Sequence, residues 1–295
     1  MTQFLQLLFE GVSLGATYAL VALGFVVIYR ASGVINFAQG AMLLLGAYLI
    51  SWLAVDVGLA FGLAVLAAMG ALAVFGASFH RVALRRVVGQ PTFVLVMITI
   101  GAGIAVSAAI EAIFGDNQRL LGDPWGSSAF DVGAITITWV KFWGIVVAAA
   151  ALAAYFAFDR YTRWGLAMRA TAGDEEATLS AGVPVRRVHA LTWALAGVLA
   201  TLGGMFLAAF PSAPSHGLGD AALRAFPAVV LGGLSSSVGA VAGGLLIGVI
   251  EVMTSGYAPS WLGTNFYAVA PYIAMIVILL VRPYGLLGAE PAERV

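Results

Sequence analysis

The 295-residue chain is 62% hydrophobic and 9% charged, carries no net charge, and has a mean hydropathy of +1.01. A water-soluble domain holds about a quarter charged residues, so this chain cannot cover an aqueous surface and its solvent is mostly lipid. Neutrality removes any bulk electrostatic case for nucleic acid, and the absence of cysteine excludes disulfides, thiolate metal sites and thiol catalysis.

Long apolar runs follow one another along the chain: Phe4 to Tyr29, Phe61 to Phe79, Phe93 to Ile110, Phe142 to Phe158 and Leu191 to Phe210. Each has roughly the 17–25 residues that cross the hydrocarbon as a helix. A closed barrel would instead alternate over strands of about ten residues. The expected fold is all-α, a polytopic membrane bundle of about eight spans in a single domain over residues 1–295. No Lys or Arg precedes Arg30, and the first run is too long for a cleaved signal, so it reads as a retained helix.

Arginines set the expected orientation, because basic residues collect on the cytoplasmic side. Arg30 follows the first run, and Arg81, Arg85 and Arg86 follow the third. Arg160, Arg163, Arg169, Arg186 and Arg187 lie in a loop of about 159–188, and Arg282 closes the last run. The segment Gly115 to Asp131 holds three Asp and one Arg and is expected outside, with Lys141, the only lysine, near the same end. Threading the spans makes Ala41 to Ala54 outward, Phe61 to Phe79 inward, Thr92 to Phe114 outward, Trp139 to Phe158 inward and His189 to Phe210 outward. Arg282 then ends inside only if Phe226 to Met253 enters and returns. That stretch contains GGLSSSVGAVAGG (Gly232 to Gly244), poor material for a continuous helix, so a broken or re-entrant element is expected there. GVINFAQGA (Gly33 to Ala41) and GGLSSSVGA (Gly232 to Ala240) share the frame G-x6-G-A, an echo equally compatible with coincidence and with a duplicated unit.

Broken helices survive at membrane depth where protein or a wet cavity satisfies the freed backbone, and they point to a solute path. Asn36, Gln39 and Gly40, with Gly232, Gly233 and Ser235 to Ser237, are therefore the path candidates; helix–helix hydrogen bonding is the equally weighted structural alternative. Glu10, Glu111 and Glu251 are the acids nearest the spans, and interfacial placement is favoured over a proton relay. GVSLG (Gly11 to Gly15) fits the pattern of a nucleophile elbow, but that motif needs a strand before it. Its G-x-x-x-G spacing reads as helix packing, as do Gly239/Gly243 and Gly244/Gly248. His80, His189 and His216 show no ligand spacing, so no metal site is expected. The sole lysine follows Val140, so no Gly-Lys phosphate loop exists, and this chain is expected to bind no nucleotide or other cofactor.

The loop RATAGDEEATLSAGVPVRR (Arg169 to Arg187) is the sharpest local signal. Between Asp159 and Arg187 lie nine of the chain's 14 basic and 14 acidic residues. Asp174, or Thr171 ahead of it, can cap a helix; Glu175 and Glu176 complement its dipole; Gly182 and Pro184 stop it. A helix of two or three turns is marginal alone in water, so it is expected to lie against something.

GVSLGATYALVALGFVVIYRASGVINFAQGAMLLLGAYL (Gly11 to Leu49), RWGLAMRATAGDEEATLSAGVPVRRV, FPAVVLGGLSSSVGAVAGGLLIGVIE and VRPYGLLG together resemble permease subunits of bacterial branched-chain amino-acid ABC importers, in order along nearly the whole chain. The resemblance implies a multi-pass protein of the bacterial inner membrane, surrounded by lipid. Its implied partners are a second permease (a sister chain or a copy of itself), two ATPase subunits using ATP and Mg, and an extracytoplasmic solute-binding protein. It also implies that Ala172 to Gly182 forms the coupling helix. The contact candidates are then Ala172, Asp174, Glu175, Glu176, Ala177 and Gly182, with Arg186 and Arg187 beside them. Gln39 stands where many relatives have histidine, a change that bears on path polarity; relatives of this type also carry urea, short amides and other small polar solutes.

Overall fold

The computed structural model describes residues 2–288 except 88, 89, 116, 117, 134, 210, 211, 213, 216, 260, 262 and 264, with the backbone alone at 85, 86, 220 and 221. Its helices, in chain order, begin with α1 (Thr2–Ser32), α2 (Gln39–Ser51, continued by a π-helical turn over Trp52–Asp56), α3 (Phe61–Val82) and α4 (Thr92–Phe114). A hairpin of β1 (Ala129–Val132) and β2 (Ile135–Thr138) follows, antiparallel with Ala129 opposite Thr138. Then come α5 (Trp139–Tyr161), α6 (Arg163–Gly173), α7 (Glu175–Ser180), α8 (Val185–Ala208), α9 (Leu218–Arg224), α10 (Phe226–Gly232), α11 (Ser237–Tyr257) and α12 (Phe266–Val281). Among the described residues, seven of these segments are long and apolar enough to cross a membrane, and Ala222–Gly232 and Phe266–Val281 are shorter apolar helices. The polytopic helical bundle expected from hydropathy is what forms. The short outer hairpin was not foreseen, because two four-residue strands carry no periodic signal above that of a loop.

In lipid, apolar side chains do not distinguish inside from outside, and helices associate where small residues let backbones approach. α1 is the central helix, buried along most of its length, whereas few residues of α4 and α5 are fully buried. Gly11 and Gly15 seat α1 against α11: a Cβ at Gly15 would lie 2.7 Å from Leu245 Cα. Two faces of α11 are used. Gly244 and Gly248 meet α1 at Ala19 and Gly15, while Gly239 and Gly243 meet α10 at Gly232 and Ala228. The G-x-x-x-G spacings therefore pack helices, and Ser13, inside the elbow-like pattern, donates a hydrogen bond from its hydroxyl to the Lys141 carbonyl at 3.1 Å. α8 is the second buried column, with Gly197 against Leu72 of α3 and Gly204 against Leu43 of α2.

The Phe226 to Met253 stretch does enter and return. α10 ends at Gly232, Gly233 turns the chain at a φ of 101°, and α11 runs back antiparallel, so that Gly232 abuts Gly239 and Gly243 abuts Ala228. Positive φ at Gly233 is accessible without a Cβ clash only to glycine. α12 then descends, and the chain after it joins the same turn: the amides of Leu286 and Leu287 donate to the carbonyls of Leu231 and Gly232 at 2.8 and 3.2 Å. Arg30 Nη1 donates to Ser237 Oγ at 2.7 Å, and His189 Nε2 lies 2.9 Å from the Ala31 carbonyl. These contacts gather Arg30, Ser237, His189 and the chain following α12 at one basic end of the bundle, as the positive-inside parity requires. The opposite end is closed by Arg119 paired with Asp56, Lys141 with Glu10, and Gln6 with Thr136.

Candidate functional site

At the basic end the expected single helix over Ala172 to Gly182 is two helices. Thr171 does not cap: its hydroxyl donates back to the Ala167 carbonyl at 2.8 Å, and α6 continues through Ala172 to Gly173. Asp174 breaks the run in extended geometry, and its carboxylate accepts the Ala177 amide at 3.0 Å, capping α7. Glu175 and Glu176 occupy the first turn. The stop is complete: Gly182 N donates to Leu179 O at 2.9 Å and Val183 N to Thr178 O at 3.2 Å. That crossed pair is the Schellman arrangement, with Gly182 at a φ of 81°. The independent helix is thus Glu175–Ser180, and Ala172 belongs to the helix before it. Glu175, Glu176, Ala177, Leu179, Gly182, Arg186 and Arg187 are exposed, and Thr178 is turned inward. The six-residue helix is closed by hydrogen bonds at both ends and presents Leu179 at 52% exposure. Its C-terminal stop runs through Pro184 directly into α8. Arg169 ties the base of the loop to Asp159 across 3.2 Å.

Two broken-helix junctions lie deeper. Between α1 and α2, residues 33–38 run back alongside α1, so that Gln39 lies against Gly24, about 12 Å up the helix from Ser32 at 1.5 Å per residue. Asn36 and Gln39 are fully buried and satisfy one another: Asn36 Nδ2 donates to Gln39 Oε1 at 3.2 Å, and Asn36 Oδ1 accepts the Ala38 amide at 3.0 Å. Gln39 Nε2 donates to the Ala196 carbonyl of α8 at 3.4 Å. Gly40 opens α2 against the Gly219 carbonyl of α9. At the other junction Gly232 and Gly233 are buried, Ser236 Oγ caps α11 through Gly239 N at 3.0 Å, and Ser235 lies in a cavity of about 590 Å³ with Arg30, Arg169 and Glu175. Both G-x6-G-A frames therefore end in the first turn of a helix that follows a break.

Toward the opposite end are two further cavities, of about 460 and 570 Å³, which share Leu14, Leu207 and Ser212. The first contains the Glu10–Lys141 pair, 2.7 Å apart and partly exposed on both sides. Such a pair contributes up to about 1 kcal/mol. A double-mutant cycle with Glu10→Gln and Lys141→Met, read by thermal unfolding in nanodiscs, is expected to give a coupling below that; a coupling of about 3 kcal/mol would mark a buried pair instead. The second cavity contains Glu251, which is 5% exposed within α11. Its Oε2 accepts the Tyr18 hydroxyl at 2.8 Å, and Arg224 Nη1 stands 3.9 Å from its Oε1. Glu111 is exposed on α4.

Sequence reasoning did not assemble the Tyr18–Arg224–Glu251 cluster, whose members come from α1, α9 and α11. Its available signal was an acid inside an apolar run, which needs an intramembrane partner. Nor did it bring His80 and His189 together; their ring centroids are 5.5 Å apart, beside Glu175 in a basic-end cavity of about 560 Å³. His216 lies outside the described residues.

Comparison with known proteins places this architecture. The chain is 33% identical over 99% of its length, and 98% of the relative's, to the high-affinity branched-chain amino acid transport system permease protein LivH of Salmonella typhimurium. It is 30% identical to the corresponding permease protein BraD of Pseudomonas aeruginosa over the same shares, and 30% identical over 88% of its length to the ribose import permease protein of Escherichia coli, covering 78% of that protein. Among solved structures, PsaBC of Streptococcus pneumoniae in complex with Fab shares the fold at a TM-score of 0.52 and 14% identity, covering 95% of this chain and 92% of that one. The family model described as branched-chain amino acid transport system / permease component matches residues 7–281, and with near full-length identity of 30% or more to two of its permeases, the chain belongs to that family of multi-pass membrane permeases.

Proposed function

We propose that the chain is the membrane subunit of an ATP-driven importer in a bacterial inner membrane, forming the path for branched-chain or related amino acids handed over by an extracytoplasmic binding protein. A second permease chain and two ATPase subunits that consume ATP and Mg complete the assembly. The observation that carries the reading is α7: a helix closed at both ends, exposed at the basic end, and continuous with a buried column.

The geometry supplies a route for force. Val183 joins the stop of α7 to Pro184, and α8 begins at Val185. α8 in turn touches α3 where Gly76 meets Trp193, α2 where Gly46 meets Thr201, and the buried junction where Gln39 bonds Ala196. A partner that displaces α7 therefore displaces the helix against which the α1–α2 break is held. Packed interfaces of this kind shift between discrete arrangements rather than deforming continuously, which suits a switch between outward- and inward-facing states. On this reading Asn36, Gln39 and Gly40, with Gly232, Gly233, Ser235 and Ser236, form the junctions that move, and Asp174, Glu175, Glu176, Ala177, Gly182, Arg186 and Arg187 form the contact with the ATPase, with Ala172 at its base.

The test is energetic. Uptake of L-leucine by cells carrying the full system is expected to survive a protonophore while ATP is maintained, and to vanish when the partner ATPase is inactivated. The opposite pattern overturns the proposal in favour of proton coupling through the membrane acids.

A further inference from the structure

Glu251 and Arg224 present opposite charges to one cavity. Glu251 lies at the inner wall of the 570 Å³ cavity with its side chain 6% exposed, whereas that of Arg224 is 42% exposed. Tyr18 occupies Oε2 of the acid, which leaves Oε1 facing the guanidinium across 3.9 Å, a separation too long for a hydrogen bond. Gln118, Ser212 and Ser215 from the loops at the outer end line the same space, and Leu14, Leu207 and Leu218 supply an apolar wall. Its volume is within the range of about 300–1,000 Å³ usual for small-molecule sites.

We propose that this cavity is a transit site for a zwitterionic α-amino acid with an aliphatic side chain: Arg224 takes its carboxylate, Glu251 Oε1 its ammonium, and Leu14, Leu207 and Leu218 its side chain. The choice of an amino acid as solute rests on the importer reading above; the charge pattern itself does not. Ligand and receptor are each neutral overall, so occupancy exchanges one ion pair for two and buries no net charge. The resting pair also keeps the empty site from exposing two unpaired charges at membrane depth. Because the ligand must compete with that pair, binding is weak, as a site on a path has to be if the solute is to leave. A purely structural clasp between α9 and α11 would show none of this selectivity.

The chain has no cysteine, so Ser215→Cys places a single thiol on the cavity wall. Its maleimide labelling rate is to be measured on the full chain with its partner subunits in nanodiscs, without ATP. Millimolar L-leucine is expected to slow labelling at least fivefold. L-leucinamide, which lacks the carboxylate, and 4-methylpentanoate, which lacks the ammonium, are expected to leave the rate within a factor of 1.5. Arg224→Gln and Glu251→Gln are each expected to abolish protection by leucine. If Glu251→Gln does not fold, the exposed Arg224 variant and the two analogues decide the matter. Absence of protection by leucine, or equal protection by either analogue, overturns the site. Protection without ATP-driven uptake sinks the importer reading and leaves the site standing; uptake without protection does the reverse.

Discussion

Gly248→Leu is expected to prevent accumulation of the folded permease. A Cβ at this position would lie 2.2 Å from the Gly15 amide nitrogen and 2.3 Å from its Cα, so the obstruction is backbone and cannot be relieved by a rotamer change. The neighbouring contacts are equally tight: Gly11 is within 2.8 Å of Val249 Cα by the same construction, and Gly244 within 2.5 Å of the Ala19 nitrogen. α1 and α11 must therefore separate along their whole shared face, which costs about 3 kcal/mol or more. In lipid there is no hydrophobic gain from re-covering the gap, because the hydrocarbon is as apolar as the side chains that would fill it. Membrane abundance of the folded form should fall at least several-fold, measured by fluorescence-detected size exclusion. Gly101→Ala is the matched control: among the described residues nothing lies within 4 Å of its Cβ direction on α4, so alanine there is neutral or stabilising by up to about 1 kcal/mol through helix propensity. If both variants accumulate equally, the α1–α11 contact is not what holds the bundle.

Gly182→Val is expected to leave the protein folded and inserted while reducing ATP-driven uptake by about tenfold or more. No atom of the described residues lies within 4 Å of a Cβ built at Gly182, so no packing among them is disturbed. The cost is conformational: a β-branched residue at a φ of 81° carries a penalty of roughly 1–2 kcal/mol and loses the crossed hydrogen bonds that end α7. A helix of six residues has almost no internal reserve, so relaxing that strain unwinds α7 and uncouples it from α8. Asp174→Ala should act in the same direction but more weakly, since an N-cap is worth about 1 kcal/mol. The measurements are uptake normalised to inserted protein and co-purification with the ATPase. Normal transport by Gly182→Val would remove α7 from the coupling route.

How far the sequence reached depends on the range of the interaction. The stop at Gly182–Pro184 and the cap at Asp174 were legible because each is a bond between residues within five positions of one another. The exact start of α7 was not, because Thr171 and Asp174 offered competing local bonds, and the i−4 bond of Thr171 to Ala167 prolonged α6. The re-entry at Gly233 was legible through a parity argument, since an arginine at a span's end constrains how many times the chain has crossed.

Composition and local signals by themselves determined that the chain is a helical membrane bundle, which face carries its charge, where helices break, and that small-residue spacings mark contacts. Which partner each glycine face meets was decided only by the tertiary structure, because in lipid an apolar surface has no preference until a complementary backbone is placed against it. The same holds for charge: Tyr18 and Glu251, 233 positions apart, become neighbours only when α1 and α11 approach closely enough for one hydrogen bond to form between them.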